Sequence, residues 1–253
     1  MITIRQSDTA EWNKELKETN RSEAESMTNR AWLDKVGAGD GLILLGGAAV
    51  PHFRIRVAQC HARADLKPSC WSLAGILINN QKFLSVPLEL CGDASEIAQQ
   101  NGVAECSMAD YDDQKRFPNI AVIRFTNDAE KILDNAGRVK AQRSIIDLPT
   151  LMLPWLSYIW IAGKAANPLA EGLGLPSAAF VQTVYGIAGI ELTPGLASGS
   201  SCPEAIWQAA KYWSNFYRDA AATAHETNAA PQVPSGNYAI RQPAAAADWP
   251  PEG

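Results

Sequence analysis

The stretch Cys70–Leu90, CWSLAGILINNQKFLSVPLEL, decides the fold. Two apolar runs, WSLAGILI and FLSVPLEL, flank the polar NNQK. An Asn-Asn step between two apolar runs reads as a β-hairpin. The first run lacks polar alternation, so its strand is expected to be buried. Upstream, GDGLILLGG (39–47) reads as another short buried strand held between glycines. Between the two lies FRIRVAQ (53–59), which alternates apolar and basic residues and fits either a strand or the first turns of a helix. Downstream, residues 92–118 are polar and loop-like, with one short helical candidate at SEIAQQNG (95–102). NIAVIRF (119–125) is the next strand.

Helices frame this group of strands. Residues 8–35 read as helical, with Ser7 or Asp8 as cap and Gly37 and Gly39 as the stop. TNDAEKILDNAGR (126–138) has a capping Thr126 or Asn127 and a stop at Gly137. PSAAFVQTVYGIAG (176–189) puts Phe180, Val181, Val184, Tyr185 and Ala188 on one face. SSCPEAIWQAAKYWSNFY (200–217) opens on Ser201 and Glu204, the spacing of a capping box. The most apolar segment, IIDLPTLMLPWLSYIWIAG (145–163), is broken by Asp147, Pro149 and Pro154. A spanning helix wants about 20 apolar residues, so a buried helical hairpin or core helix is the reading there. Strands in one run and helices in another give the α+β class. The expected layout is a helical segment at 1–35, an α+β domain at 36–217, and an Ala/Pro-rich tail, extended or flexible, at 218–253.

Composition narrows the function classes. The chain has 253 residues, 47% of them hydrophobic, enough for one sizeable core. Its net charge is −5, with acids and bases mixed and no long basic block, so no nucleic-acid partner is expected. The N-terminus shows no apolar leader, and five cysteines without a CxxC pair fit reduced thiols in a cytoplasmic setting. No metal-ligand spacing and no phosphate-cradling glycine motif is present, and no cofactor is expected. The membrane is not an expected partner. The tail or the N-terminal helix offers surfaces for a protein partner or a second copy of the chain.

The order of these motifs resembles the permuted NlpC/P60 proteins, a papain-like family of cysteine hydrolases and acyltransferases. The shared features are a Gly-Asp step into a strand (GAGDGLILL, 37–45), a strand at WSLAGILI, another at FLSVPLEL, and a helix at PSAAFV. The exit GIAGIELTPGL (186–196) and the helix start SSCPEAIW follow. The likeness spans roughly residues 36–217. It implies a small antiparallel sheet packed against helices. It also implies a cysteine at a helix N-terminus, where the dipole stabilises a thiolate, and a histidine on the neighbouring strand as its base.

Both positions depart from that pattern. The resemblance puts Leu73 at the histidine position and Ser177 at the cysteine position, and offers only Ser85 as a polar third residue. Leucine accepts no proton, so the resemblance implies a papain-like fold without its usual mechanism. Ser177, just after Pro176, also reads as an ordinary helix N-cap. Cys202 lies in the first turn of a helix, where a thiol pKa is expected to fall. His61 is the histidine closest in sequence to the expected site and would have to reach it from a loop. His52 follows Pro51 in a loop, and His225 lies in the tail. Arg54, Arg56, Arg63 and Asp65 give the approach segment a polar face, which reads as paired surface charge. Two functions remain. One is a catalytically degenerate module that binds or scaffolds. The other is a hydrolase or acyltransferase acting on amide or ester bonds through Ser177 or Cys202 with His61.

Overall fold

In the computed structural model, residues 17–89, 100–125, 129–160, 165–223 and 234–242 are described. The strands are β1 (Lys17–Glu18), β2 (Gly41–Gly46), β3 (Leu73–Asn79), β4 (Lys82–Ser85), β5 (Ala104–Ser107), β6 (Asn119–Arg124) and β7 (Ser235–Ile240). They form one seven-stranded mixed sheet in the order β1-β7-β6-β2-β3-β4-β5. Among the described residues the β1–β7 pairing is parallel and the others are antiparallel. The expected hairpin is present as β3 and β4, closed at the Asn79–Lys82 pair.

The helices are α1 (Arg21–Glu25), α2 (Asn29–Val36), α3 (Val50–Ala58), α4 (Ala129–Ala141), α5 (Leu148–Trp160), α6 (Pro176–Ile187) and α7 (Pro203–Thr223). The class is α+β. The central strands bury both faces, which is why their sequences run apolar without alternation. Leu42 and Leu44 of β2, Ala74 and Ile76 of β3, and Ala121 and Ile123 of β6 join the core that contains residues of α3 to α7. Ile43, Leu45, Leu73, Leu77, Ile120 and Val122 join the core that contains Trp32 and Leu33 of α2.

Several expectations change. Of the 8–35 helix, residues 8–16 lie outside the described residues, Lys17–Glu18 is a strand, and the remainder is split into α1 and α2. The split falls where the Thr28 side chain takes the Ala31 N–H and starts α2 afresh. FRIRVAQ belongs to α3, a helix opened by Pro51 in its first turn. Residues 104–107, read as loop, form edge strand β5, and the helical candidate at 95–102 lies mostly outside the described residues. Gly137 does not stop α4, which continues to Ala141 because Val139 still reaches the core. Ser201 and Glu204 do not form the expected capping box. The Ser201 Oγ has no hydrogen-bond partner among the described residues. The Glu204 N–H bonds Gln59 Oε1 at 2.9 Å instead.

The C-terminal segment shows the largest difference. α7 runs past residue 217 to Thr223, and Ser235–Ile240 is a strand between β1 and β6. Tyr238 explains the docking: it is fully buried, with its ring 5.2 Å from Trp207 of α7. Asn119 fixes the strand's end by accepting the Arg241 and Gln242 N–H groups and donating to the Gln242 carbonyl. Arg241 then donates to Ala24 O and Asn29 Oδ1. Residues 17–36 and 235–242 thus contribute to the same sheet and core as β2 to β6.

Candidate functional site

The site lies at the end of the sheet where β2 finishes and β3 begins. β2 ends in Gly46, and Gly47 leads towards α3. His52 is in the first turn of α3 and buried, contrary to its expected place in a loop. Its ring lies against Gly47: a Cβ there would stand 2.4 Å from the imidazole Cγ, so only glycine fits. Phe117 meets the ring edge-on at 5.1 Å.

The ring nitrogens face two further side chains. His52 Nδ1 is 2.9 Å from Ser72 Oγ, and Nε2 is 3.5 Å from a Glu89 carboxylate oxygen. Ser72 Oγ accepts the Gly47 N–H at 3.0 Å, and its single proton is shared between Leu45 O at 3.3 Å and His52 Nδ1 at 2.9 Å. A carboxylate accepts only, so the proton on Nε2 points at Glu89 and leaves Nδ1 to accept from Ser72. The result is a directional line from Gly47 N–H through Ser72 O–H and His52 to Glu89. The 3.5 Å separation is longer than a good hydrogen bond, and Nε2 is buried with no hydrogen-bond partner among the described residues. His52 holds the Glu89 carboxyl below its ordinary range, and Arg116 adds to this, while partial burial opposes it.

Ser177 borders the same cavity, but on different terms. α6 begins at Pro176, with Leu175 at the cap position and no side-chain cap. Ser177 is therefore not the N-cap expected from its sequence, because Pro176 starts the helix one residue earlier. Its Oγ accepts the Ala74 N–H at 3.3 Å. Ser85, the expected third residue, donates its hydroxyl to Ala74 O at 2.6 Å. The Ser177 oxygen thus accepts from the Ala74 backbone and the Ser85 hydroxyl donates to it. Leu73 is 5% exposed and belongs to the core on the α2 side of the sheet. The cavity among Ser72, Ser177, His52, Glu89, Leu73 and Leu175 measures about 20 Å³, room for roughly one water molecule.

The other sequence candidates are placed apart. His61 is exposed on a single turn, Cys60–Ala62, and does not line that cavity. Cys202 is 2% exposed at the start of α7. Burial pushes its thiol up to about 12, the reverse of the expected fall, despite bonds from the Ala205 and Glu204 N–H groups. Desolvation outweighs the helix terminus here, and the adjacent Glu204 carboxylate adds to the rise. Ser177, His61 and Cys202 share no hydrogen bond with one another among the described residues. The line from Ser72 to Glu89 escapes sequence reasoning because its members sit 20 and 37 residues from or to His52. The one local trace is the Gly46-Gly47 pair just before Pro51-His52.

The approach segment, expected as paired surface charge, is so only at Arg63 and Asp65; Arg56 is buried and Arg54 half-buried, each on a backbone carbonyl. Arg63 forks onto both Asp65 oxygens at 2.8 Å and lies 3.6 Å from Glu204. Its bond to Arg63 pulls the Asp65 carboxyl down to about 2. Arg54 donates to Ile159 O and Arg56 to Ser69 O. No group of three or more His, Cys, Asp or Glu side chains that could hold a metal occurs among the described residues. No helix among them is long and apolar enough to cross a membrane. Comparison with known proteins finds no matching family model, no matching curated protein and no matching solved structure.

Proposed function

We propose that this chain is a catalytically degenerate papain-like module that acts by binding or scaffolding. The observation that carries the reading is the state of Ser177. Its hydroxyl is bonded to the Ala74 backbone, and the imidazole in the same cavity is bonded to Ser72 instead. Acyl transfer needs a nucleophile activated by a base and donors waiting for the oxyanion. Here the Ala74 and Gly47 N–H groups are already spent on Ser177 and Ser72. The cavity has no space for an acyl group beside them.

One observation favours a second reading. The line Ser72–His52–Glu89 has the order of a nucleophile, base and orienting acid, so an amide or ester hydrolase would use Ser72 rather than Ser177. A serine-directed fluorophosphonate separates the two. The degenerate reading expects no phosphonylation of Ser72 or Ser177, mapped by peptide mass. Labelling of either serine that disappears in His52→Ala would replace it with the hydrolase reading.

A further inference from the structure

Gly47 and Phe117 hold the His52 ring facing its two polar neighbours, and the residue is only 7% exposed. Nδ1 meets Ser72 Oγ at 2.9 Å. Nε2 is buried, has no hydrogen-bond partner among the described residues, and faces Glu89 Oε2 at 3.5 Å.

Ser72 lets the imidazole carry its proton on either nitrogen. The hydroxyl has two acceptors within reach, His52 Nδ1 and Leu45 O. With the proton on Nδ1, that N–H donates to Ser72 Oγ, which also accepts the Gly47 N–H and turns its own proton to Leu45 O. Every group in this chain is then paired, and Nε2 presents a lone pair to a carboxylate, itself an acceptor only. Two such groups face to face call for a cation between them. An imidazole fixed through one nitrogen by a hydrogen bond, with the other nitrogen turned to a carboxylate, is the arrangement of a metal ligand and its outer support.

The span between the two atoms selects the cation. Ligands at ~2.0–2.1 Å from zinc and 3.5 Å from each other subtend roughly 115° at the ion, near the tetrahedral angle. A water ~2.8 Å from both atoms would have to donate to them at roughly 77°, too narrow for its two protons. We propose that His52 Nε2 and the Glu89 carboxylate hold a zinc ion, with water completing a four-coordinate shell. The adjoining cavity of about 20 Å³ takes one of those waters, and the 37% exposed Glu89 side chain opens the other position to solvent. A mixed nitrogen and oxygen pair suits zinc, whereas magnesium and calcium prefer oxygen alone. The inference goes beyond the proposed function and holds whether or not Ser72 or Ser177 reacts with anything. Two protein ligands are fewer than the three-residue clusters that are absent among the described residues, and Arg116 sets a positive charge near Glu89. A Kd on the order of 10–100 µM is therefore expected, weaker than that of a four-ligand structural zinc centre.

Calorimetric titration of zinc into the untagged full chain at neutral pH tests it, with one ion per chain expected. Glu89→Gln keeps the shape of the side chain and should weaken binding at least about tenfold, as should His52→Ala. Ser72→Ala touches no metal but removes the support of Nδ1, and should weaken binding about tenfold. His61→Ala, on the exposed turn, should bind as the parent does. His52→Ala also removes a buried ring, so a second readout uses the partly exposed position. Cobalt(II) on the parent should give the visible absorption of a four-coordinate ion, and Glu89→Gln, unchanged in far-ultraviolet circular dichroism, should lose it. No binding up to about 1 mM zinc, a tenfold margin over that Kd, overturns the proposal. So does binding undiminished in both Glu89→Gln and His52→Ala, or binding abolished by His61→Ala.

Discussion

Two carboxylates near the sheet, Glu204 and Glu89, are each approached by a hydroxyl-bearing network, and they are built in opposite ways. Glu204 is fully buried, accepting Ser69 Oγ at 2.6 Å and Gln208 Nε2 at 2.5 Å, with Arg63 at 3.6 Å. Glu89 is partly exposed and stands 3.5 Å from an imidazole that is itself tied to Ser72. The first network closes on itself and anchors the start of α7 to the segment before β3. The second ends at a cavity and keeps one loose step. A buried carboxylate with its partners complete is a structural device. A relay with slack is where activity would survive if any did. The proposed reading holds that the slack remains unused, because the cavity is too small and the nearby backbone donors are spent.

The largest effect that separates the two networks is expected at the closed one. Glu204→Ala leaves Ser69 Oγ and the Gln208 amide without their acceptor and Arg63 without its buried partner. Unfolding free energy by urea titration should fall by about 3 kcal/mol or more. Glu89→Ala should cost far less, since its side chain is 37% exposed and its contact is long. Equal losses from the two variants would dissolve the contrast.

A middle-sized effect sharpens the geometry of the relay. Gly47→Ala drives a methyl group into the His52 ring, and overpacking of this kind costs about 1–3 kcal/mol. In a His52→Ala background the ring is gone and most of that cost should vanish. A double-mutant cycle therefore predicts strong positive coupling between positions 47 and 52. Simple additivity would mean that the ring does not rest on Gly47.

The smallest effect is a pH dependence. The Asp65 carboxyl lies below its ordinary 3.8, at about 2, and Glu89 is shifted in the same direction. A lowered folded-state value means that the unfolded chain binds the proton more readily, so the contribution is complete above the ordinary value and is lost on acidification. For Asp65 the loss should run from about pH 4 down through pH 2. Asp65→Asn should be less stable than the parent protein at pH 7, with the difference closing over that interval. A gap that stays constant with pH would show that Arg63 does not favour the ionised form.

Legibility followed burial. β3 and β4 could be read because the sheet is covered on both faces and leaves long apolar runs. β5 could not, because only Ala104 and Cys106 of its four residues are buried, too few to stand out from a polar loop. β7 was hidden for the same reason: only Tyr238 and Ala239 are buried, with Ile240 packed half-buried beside them, inside a stretch whose composition reads as tail. At the site, the local sequence drew attention to Ser177 but not to Ser72, His52 or Glu89. Ser177 and Leu73 border one cavity. What each does there depends on long-range partners: Ala74 for Ser177, the α2-side core for Leu73. Cys202 shows the limit of local rules most plainly. A helix N-terminus argues for a lowered thiol pKa, and burial, which no local window reveals, reverses it.

The proposal that this chain is a catalytically degenerate module is tested most directly by turnover. The chain and its Ser72→Ala, His52→Ala and Ser177→Ala variants would be assayed side by side on p-nitrophenyl acyl esters and on a fluorogenic peptide-amide panel. The account predicts that all four proteins hydrolyse these substrates no faster than an inert protein at the same concentration. A parent rate well above that background, abolished by Ser72→Ala and His52→Ala, would contradict it and make the Glu89–His52–Ser72 line a working catalytic centre.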